Sequence, residues 1–349
     1  MGEHGTTAAW EVDAGEFPAD GDFAERARFL LRYATLAPSS HNSQPWAFEI
    51  GDGAVRLFAD ESRRLSVADP DGRELHLSLG CALENLVVAA RYFGYDPAVD
   101  YGDGADDPVA TVTLGREGPG PTDAATPPDA ATPDPAVGDA ALFDAIRRRR
   151  TNHELFDEGR PVPAAVLDRF RGYAAESDGD VTLTLVEDAD RRRELAALQA
   201  EADRRQFEDP DYREELGYWV GSGALGANWL VARVGQLAVE HLDLGDREGA
   251  KNSKLLRSAP AVAVLSTATD DRESRVEAGR AFERLALAAT NEGLAVHPMS
   301  QTLERPAYRA KLAELLGSSD ASPQHLFRLG YGEPESGRTP RRPVDDVLR

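Results

Sequence analysis

Two hydrophobic periods alternate along this chain. From Phe23, "FAERARFLLRYA" repeats its apolar residues at helical spacing, and Asp22 with Glu25 fits a capping box, so a helix is predicted to open at Asp22. Strand-like runs follow in "WAFEI" (46–50) and "AVRLFAD" (54–60), separated by a Gly-Asp-Gly turn. A long helical pattern carries "GCALENLVVAARYFG" (80–94), and "VATVTLG" (109–115) is strand-like again. The order recurs later as a helix near 140–149, "VTLTLVED", "AVAVLST", the helical "GRAFERLALAATNEG" (279–293) and the strand-like "HLFRLGYG". The two glycine-bounded helices align without gaps at Gly, Ala, Glu, Leu, Ala, Ala and Gly, which predicts an internal duplication. Between them lies a helical, acidic insertion at about 195–257.

A Pro, Ala, Asp and Thr-rich run lacking large apolar residues separates the repeats and reads as a linker. The expected organisation is an N-terminal tail (1–21), a first half (22–115), a linker (116–139) and a second half (140–349) that carries the insertion.

Composition narrows the function. The 349 residues are 41% hydrophobic, enough for substantial cores, while the longest apolar runs fall far short of the roughly 20 residues that cross a bilayer. The N-terminus lacks the basic and apolar regions of a secretory signal, so the expected location is the cytoplasm. A net charge of −22 argues against nucleic acid as a partner, and lysine occurs only at 251, 254 and 311. Such an acidic shell is expected of a salt-adapted protein whose self-repulsion is screened by concentrated salt. The lone Cys81 excludes an internal disulfide and reads as a buried, inert thiol.

Candidate chemistry is confined to a few stretches. "GSGALG" (221–226) has dinucleotide-loop spacing but follows a helical run instead of a strand, so it reads as a break within the insertion. The chain contains no nucleophile elbow, phosphate loop or zinc-ligand spacing. In "APSSHNSQPW", Ser39, Ser40, Asn42 and Gln44 follow a helix end between Pro38 and Pro45; that is more polar groups than a turn needs, and they suit the edge of a planar ligand. In "AIRRRRTNHELF", four arginines end a helix ahead of Thr151. They either oppose the helix dipole or clamp a phosphate. Arg341 and Arg342 in "RTPRRPVDDVLR" form a third, weaker cluster.

"APSSHNSQPW" together with "RRTNHELF" resembles the flavin-binding nitroreductase superfamily, in its Acg-like branch where two nitroreductase-like halves are fused. "LGCALENLVVAARYFGY", "PMSQTLERPAYRAKL", "HLFRLGYGEP" and "TPRRPVDDVL" extend the likeness over most of residues 22–348. The resemblance implies an α+β fold, with antiparallel-type sheets flanked by helices and the two halves forming an intramolecular pseudo-dimer. It also implies FMN, with Arg149, Arg150 and Thr151 at its phosphate, helped by Arg341 or Arg342. Pro38, Ser39, Ser40 and Asn42 would meet the ring and ribityl chain, and the amides of Met299 and Ser300 the ring's N5 edge. His153 stands where the family places Arg or Lys, so its protonation is expected to tune the flavin.

Each half lacks the motif that the other keeps, so one composite site per chain is expected, in a monomer that imitates a dimer. The implied activity is NAD(P)H-dependent reduction of a small nitroaromatic or quinone-like acceptor. The alternative is a protein that holds FMN under a lid with little turnover.

Overall fold

The capping box forms as the sequence predicts. Asp22 Oδ1 accepts from the Glu25 amide at 2.9 Å and Glu25 Oε2 from the Asp22 amide at 2.8 Å, which starts α1 (Phe23–Ala34). The structure is a computed structural model that describes residues 5–104, 107–116, 138–175, 180–226, 229–241, 244–318, 320–333, 335 and 337–349. The expected linker lies mostly outside the described residues.

After α1 come β1 (Trp46–Gly51), β2 (Ala54–Ala59), α2 (Arg73–Tyr92), β3 (Tyr95–Tyr101) and β4 (Ala110–Arg116). The second half runs α3 (Asp139–Arg148), α4 (Ala164–Ala175), β5 (Thr182–Val186), α5 (Ala189–Phe207), α6 (Pro210–Gly221), α7 (Trp229–His241), α8 (Gly245–Ser258) and β6 (Ala261–Thr267). It continues with α9 (Arg272–Asn291), β7 (Ala295–Pro298), the single turn α10 (Gln301–Glu304), α11 (Pro306–Leu316) and β8 (Ser322–Gly330). The first sheet has the order β1-β2-β4-β3 and the second β5-β6-β8-β7, antiparallel throughout. Strand for strand, and with α2 matching α9, the two topologies are identical.

The pairing of α2 with α9 joins the halves. A Cβ on Gly80 would stand 2.1 Å from the Val276 carbonyl oxygen, and one on Gly279 would stand 2.1 Å from that of Leu77. Only glycine at both positions lets the backbones approach this closely, so the first residue of the repeated motif is the crossing point. Leu79, Leu83 and Leu86 of α2 and Leu285 and Leu287 of α9 belong to one buried cluster that takes in both sheets. Cys81 is buried there, donates to the Gly279 carbonyl at 3.4 Å and has its pKa driven well up by burial. It is the inert thiol expected.

The halves differ on their outer faces. β6 is buried at every residue because Val262 and Val264 meet a second cluster supplied by α5, α8, α10 and α11. That is why "AVAVL" is continuously apolar whereas β2 leaves Arg56, Phe58 and Ala59 partly exposed. The helix that leads into the expected insertion, α5, opens at Ala189, capped by Asp188. Helices α5 and α8 sit on the second sheet, while α6 reaches across to the first half. There Tyr212, Trp219 and Ala224 pack on Leu65 and Ala68, and Glu215 accepts the Val67 and Ala68 amides at 3.0 and 2.8 Å. The N-terminal stretch expected as a tail is instead packed, with Trp10 and Val12 in the main core. No helix among the described residues is long and apolar enough to cross a membrane.

Candidate functional site

The loop between α1 and β1 is strained. His41, Asn42 and Gln44 take φ values of 51°, 52° and 52°, a left-handed conformation that costs a side-chain-bearing residue about 1 to 2 kcal/mol. Gln44 helps to enforce it. Its amide donates to Ser39 Oγ at 2.9 Å, and its Oε1 accepts the Arg342 amide at 2.7 Å. Arg342 is a staple, directed to the carbonyls of Gln44, Trp46 and Asp346 and to Asp60. Of the two C-terminal arginines, only Arg341 turns toward the loop's interior.

Arg341 and Arg149 converge from the second half on groups of the first. Both guanidinium groups lie 3.4 Å from the Leu36 carbonyl, and Arg341 donates to Asn42 Oδ1 at 2.8 Å. The Asn42 amide donates onward to the carbonyls of Ala224, in the insertion, and Pro340. Arg149, Arg341 and Asn42 are 5%, 3% and 6% exposed, so this charge is held almost out of water. The counterion is Glu283 of α9, with its Oε1 3.2 Å from Arg149 Nε. Burial pushes Glu283 up to about 7 against the opposing pull of Arg149 and Arg341. Burial, then Arg149, lowers Arg341 to about 9 although Glu283 opposes this, and burial with Arg338 and Arg149 lowers Arg150 to about 10. Neither Arg149 Nε nor Arg341 Nε has an aligned acceptor. Cations crowded this closely, with buried N–H groups to spare, fit a phosphate monoester.

A second polar group lies at the start of α2. Asp69 accepts the Glu74 and Leu75 amides at 3.0 and 2.9 Å, which frees the Glu74 side chain to face the loop. Its carboxylate accepts from the Ser40 hydroxyl and pairs with Arg73 at 2.9 Å, and the Ser300 hydroxyl also favours its charge. Burial opposes ionisation there, yet Arg73, His325 and the two serines hold Glu74 below the usual carboxylate range. Nearby on α10, burial and the charge of Glu74 push Glu304 up to about 8, although Gln206 donates to its carboxyl, so it keeps its proton at neutral pH. Ser40 and Ser300, from opposite halves, thus share one carboxylate.

The remaining predicted residues lie as follows. Pro38 and Ser39 are half-buried at the loop entrance. Arg150 donates to the carbonyls of Arg147 and Arg149, and its guanidinium stands 5.0 Å from the Trp10 ring. Thr151 bridges to Val296 through its backbone, which extends the second sheet's edge. Met299 is buried and its amide donates to the Leu326 carbonyl at 2.8 Å, so within the pair Ser300 is the residue facing the loop. His153 is directed outward, 4.6 Å from the His297 ring and 3.9 Å from Glu335; partial burial keeps its pKa below the ordinary histidine value despite Glu335.

Sequence reasoning passed over Glu74, Glu283, Arg338 and Trp10. Glu283 did leave a signal, being one of the identities shared by the two repeats.

Comparison with known proteins bears on the family and the fold. The Nitroreductase family model matches residues 146–331. Rv3131 of Mycobacterium tuberculosis, provisionally named an NAD(P)H nitroreductase, is 32% identical over 335 residues, or 93% of this chain and 91% of that protein. The acg protein of the same organism, named in the same way, is 30% identical over 334 residues, with 91% of this chain and 93% of that protein covered. A nitroreductase-like crystal structure from Anabaena variabilis covers 95% of this chain and 92% of its own at a TM-score of 0.53 and 12% identity, which supports the fold alone. With two matching α+β halves, a family model over residues 146–331 and full-length relatives at this identity, the chain belongs to the nitroreductase family.

Proposed function

We propose that the chain is an FMN-dependent oxidoreductase, with NAD(P)H as donor and a nitroaromatic or quinone-like small molecule as acceptor. It would carry one composite FMN site in a monomer that imitates the family's dimer. The observation that carries this reading is the convergence of Arg149 and Arg341 from the second half on Leu36 and Asn42 of the first. Arg149 and Arg341 would hold the phosphate, with Arg150 and Thr151 at its margin. Pro38, Ser39, Ser40 and Asn42 would line the ribityl and ring side, with Ser300 opposite them. The bound flavin would supply the hydride and electron transfer. The protein's part is to orient the flavin, to exclude water through the loop and the insertion, and to keep protons on Glu304 and charge on Glu74 near Ser300.

Purification in molar potassium chloride, chosen for the charge of −22, followed by acid release and quantitation of flavin, tests this. The expected result is one FMN per chain, with NADPH oxidation accelerated by a quinone. No FMN after reconstitution refutes the reading.

The insertion favours a second reading, a flavin-holding protein with little turnover. Ala224 is bonded directly to Asn42, so donor and acceptor must pass a docked α6. Tight FMN binding with NADPH oxidation no faster than that of free flavin would select it.

A further inference from the structure

The cluster holding Arg149 and Arg341 has one wall that belongs to neither motif. Trp10, 3% exposed, lies among three guanidinium groups, with Arg341 at 4.8 Å, Arg150 at 5.0 Å and Arg338 at 5.2 Å from its ring centroid. Its indole nitrogen donates to the Thr339 carbonyl at 2.9 Å. The segment around it is tied down at both ends. Thr6 and Arg341 exchange backbone hydrogen bonds of 2.8 and 3.0 Å, and Arg147 donates to the Val12 carbonyl at 2.6 Å. Gly5, at φ 91°, runs so close to Arg341 that a Cβ would sit 1.7 Å from its carbonyl oxygen. A side chain at position 5 would push the segment off.

The choice of an aromatic here has an electrostatic consequence. A carboxylate placed among three arginines would neutralise one of them and compete with an incoming anion. An indole face attracts cations through its quadrupole and leaves their charge intact.

We propose that Gly5–Val12 is a clasp over the phosphate pole, in which Trp10 acts as a positioning residue that gathers Arg341, Arg150 and Arg338 without neutralising them. This rests on the FMN reading and assigns a role there to the N-terminal segment. The clasp acts on the phosphate, so it distinguishes FMN from riboflavin.

The test is binding of FMN and of riboflavin to the apoprotein, followed by flavin fluorescence, for the wild type, Trp10→Ala, Trp10→Phe and Gly5→Ala. Thermal melts of each variant serve as a fold control. Trp10→Ala is expected to weaken FMN at least tenfold and riboflavin less than twofold. Trp10→Phe should restore most of the FMN affinity, because a smaller ring keeps a π face. Gly5→Ala should speed FMN dissociation several-fold without touching the ring. Equal losses for FMN and riboflavin, or no loss of FMN affinity in either Trp10→Ala or Gly5→Ala, would overturn the clasp and leave the FMN site standing. A wild-type chain that binds neither flavin would overturn both. If Trp10→Ala does not fold, Gly5→Ala decides, through FMN protection of the N-terminal segment from proteolysis that riboflavin does not give.

Discussion

Glu84 and Glu283 hold the same place in the two repeats, each four residues after the glycine where α2 crosses α9, and their surroundings have diverged. Glu283 faces Arg149 at 3.2 Å, with Arg341 beyond, and its neighbours on α2 are the uncharged Cys81 and Asn85. Around Glu84 the positions matching Cys81 and Asn85 are Arg280 and Arg284, which bond to it at 3.1 and 2.8 Å. Arg280 also reaches Glu277 and the Tyr101 hydroxyl. One glutamate is thus neutralised from within its own helix pair. The other takes as its cations Arg149 and Arg341, which also converge on Leu36 and Asn42 of the first half. The ancestral symmetry survives in the backbone, and the distribution of arginines breaks it.

The largest expected effect follows from that distribution. Arg149→Ala should weaken FMN by more than a hundredfold, since charge-assisted bonds contribute roughly 1.5 to 3 kcal/mol each and a guanidinium fork can make two of them to a phosphate. Arg284→Ala, its counterpart on the filled side, should leave FMN affinity within about twofold and lower the melting temperature instead. Titrating both variants with FMN, alongside calorimetry, separates the roles. Similar losses of FMN affinity in the two would mean that the filled side also serves the ligand.

Much of this frame is legible in the sequence, and the gaps have physical causes. The strands "WAFEI", "AVRLFAD", "VATVTLG", "VTLTLVED", "AVAVLST" and "HLFRLGYG" form, because each has a face or both faces in a core. β3 and β7 were not anticipated. Both are sheet edges, where Pro97 and Pro298 are tolerated because one side of the strand needs no partner, so neither shows a strand pattern. The loop at 38–44 announced itself by its surplus of polar groups. Glu74 did not, because a glutamate in an amphipathic helix looks exposed until its buried partner is known, and Glu283 left only its place in the repeat as a signal. Trp10 stood in a stretch whose composition reads as coil, and its partners are more than a hundred residues away.

A second, slightly smaller effect probes the axis where the halves still agree. Gly80→Ala and Gly279→Ala each force a methyl to within 2.1 Å of a carbonyl oxygen on the facing helix, so the two helices must separate. Each should cost about 3 kcal/mol, the upper end for overpacking, and the two losses should match within about 1 kcal/mol. Chemical denaturation checks both the size and the match. A large loss at only one glycine would place the axis elsewhere.

The smallest effect has the most diagnostic sign. Burial raises the folded pKa of Glu283 from 4.5 to about 7, so the native state binds a proton more readily there than the unfolded chain does. Its contribution to stability is full below about pH 4.5 and is lost as pH rises through 7. Glu84 is equally buried, but Arg284 and Arg280 overcome the burial and lower its pKa, so its contribution is present above pH 4.5 and lost as pH falls. Glu283→Gln should therefore gain stability relative to the wild type between pH 4.5 and 7, by an amount on the order of 2 kcal/mol, since one pKa unit corresponds to about 1.4 kcal/mol. Glu84→Gln should lose stability across the same window, because the partly buried Arg284 then lacks its carboxylate and Arg280 is left with Glu277 alone. Denaturation curves at several pH values decide this. A pH-independent loss in both variants, with no gain of Glu283→Gln on the wild type as pH rises to 7, would mean that the arginines are shared between the two glutamates rather than divided, and the asymmetry drawn here would not hold.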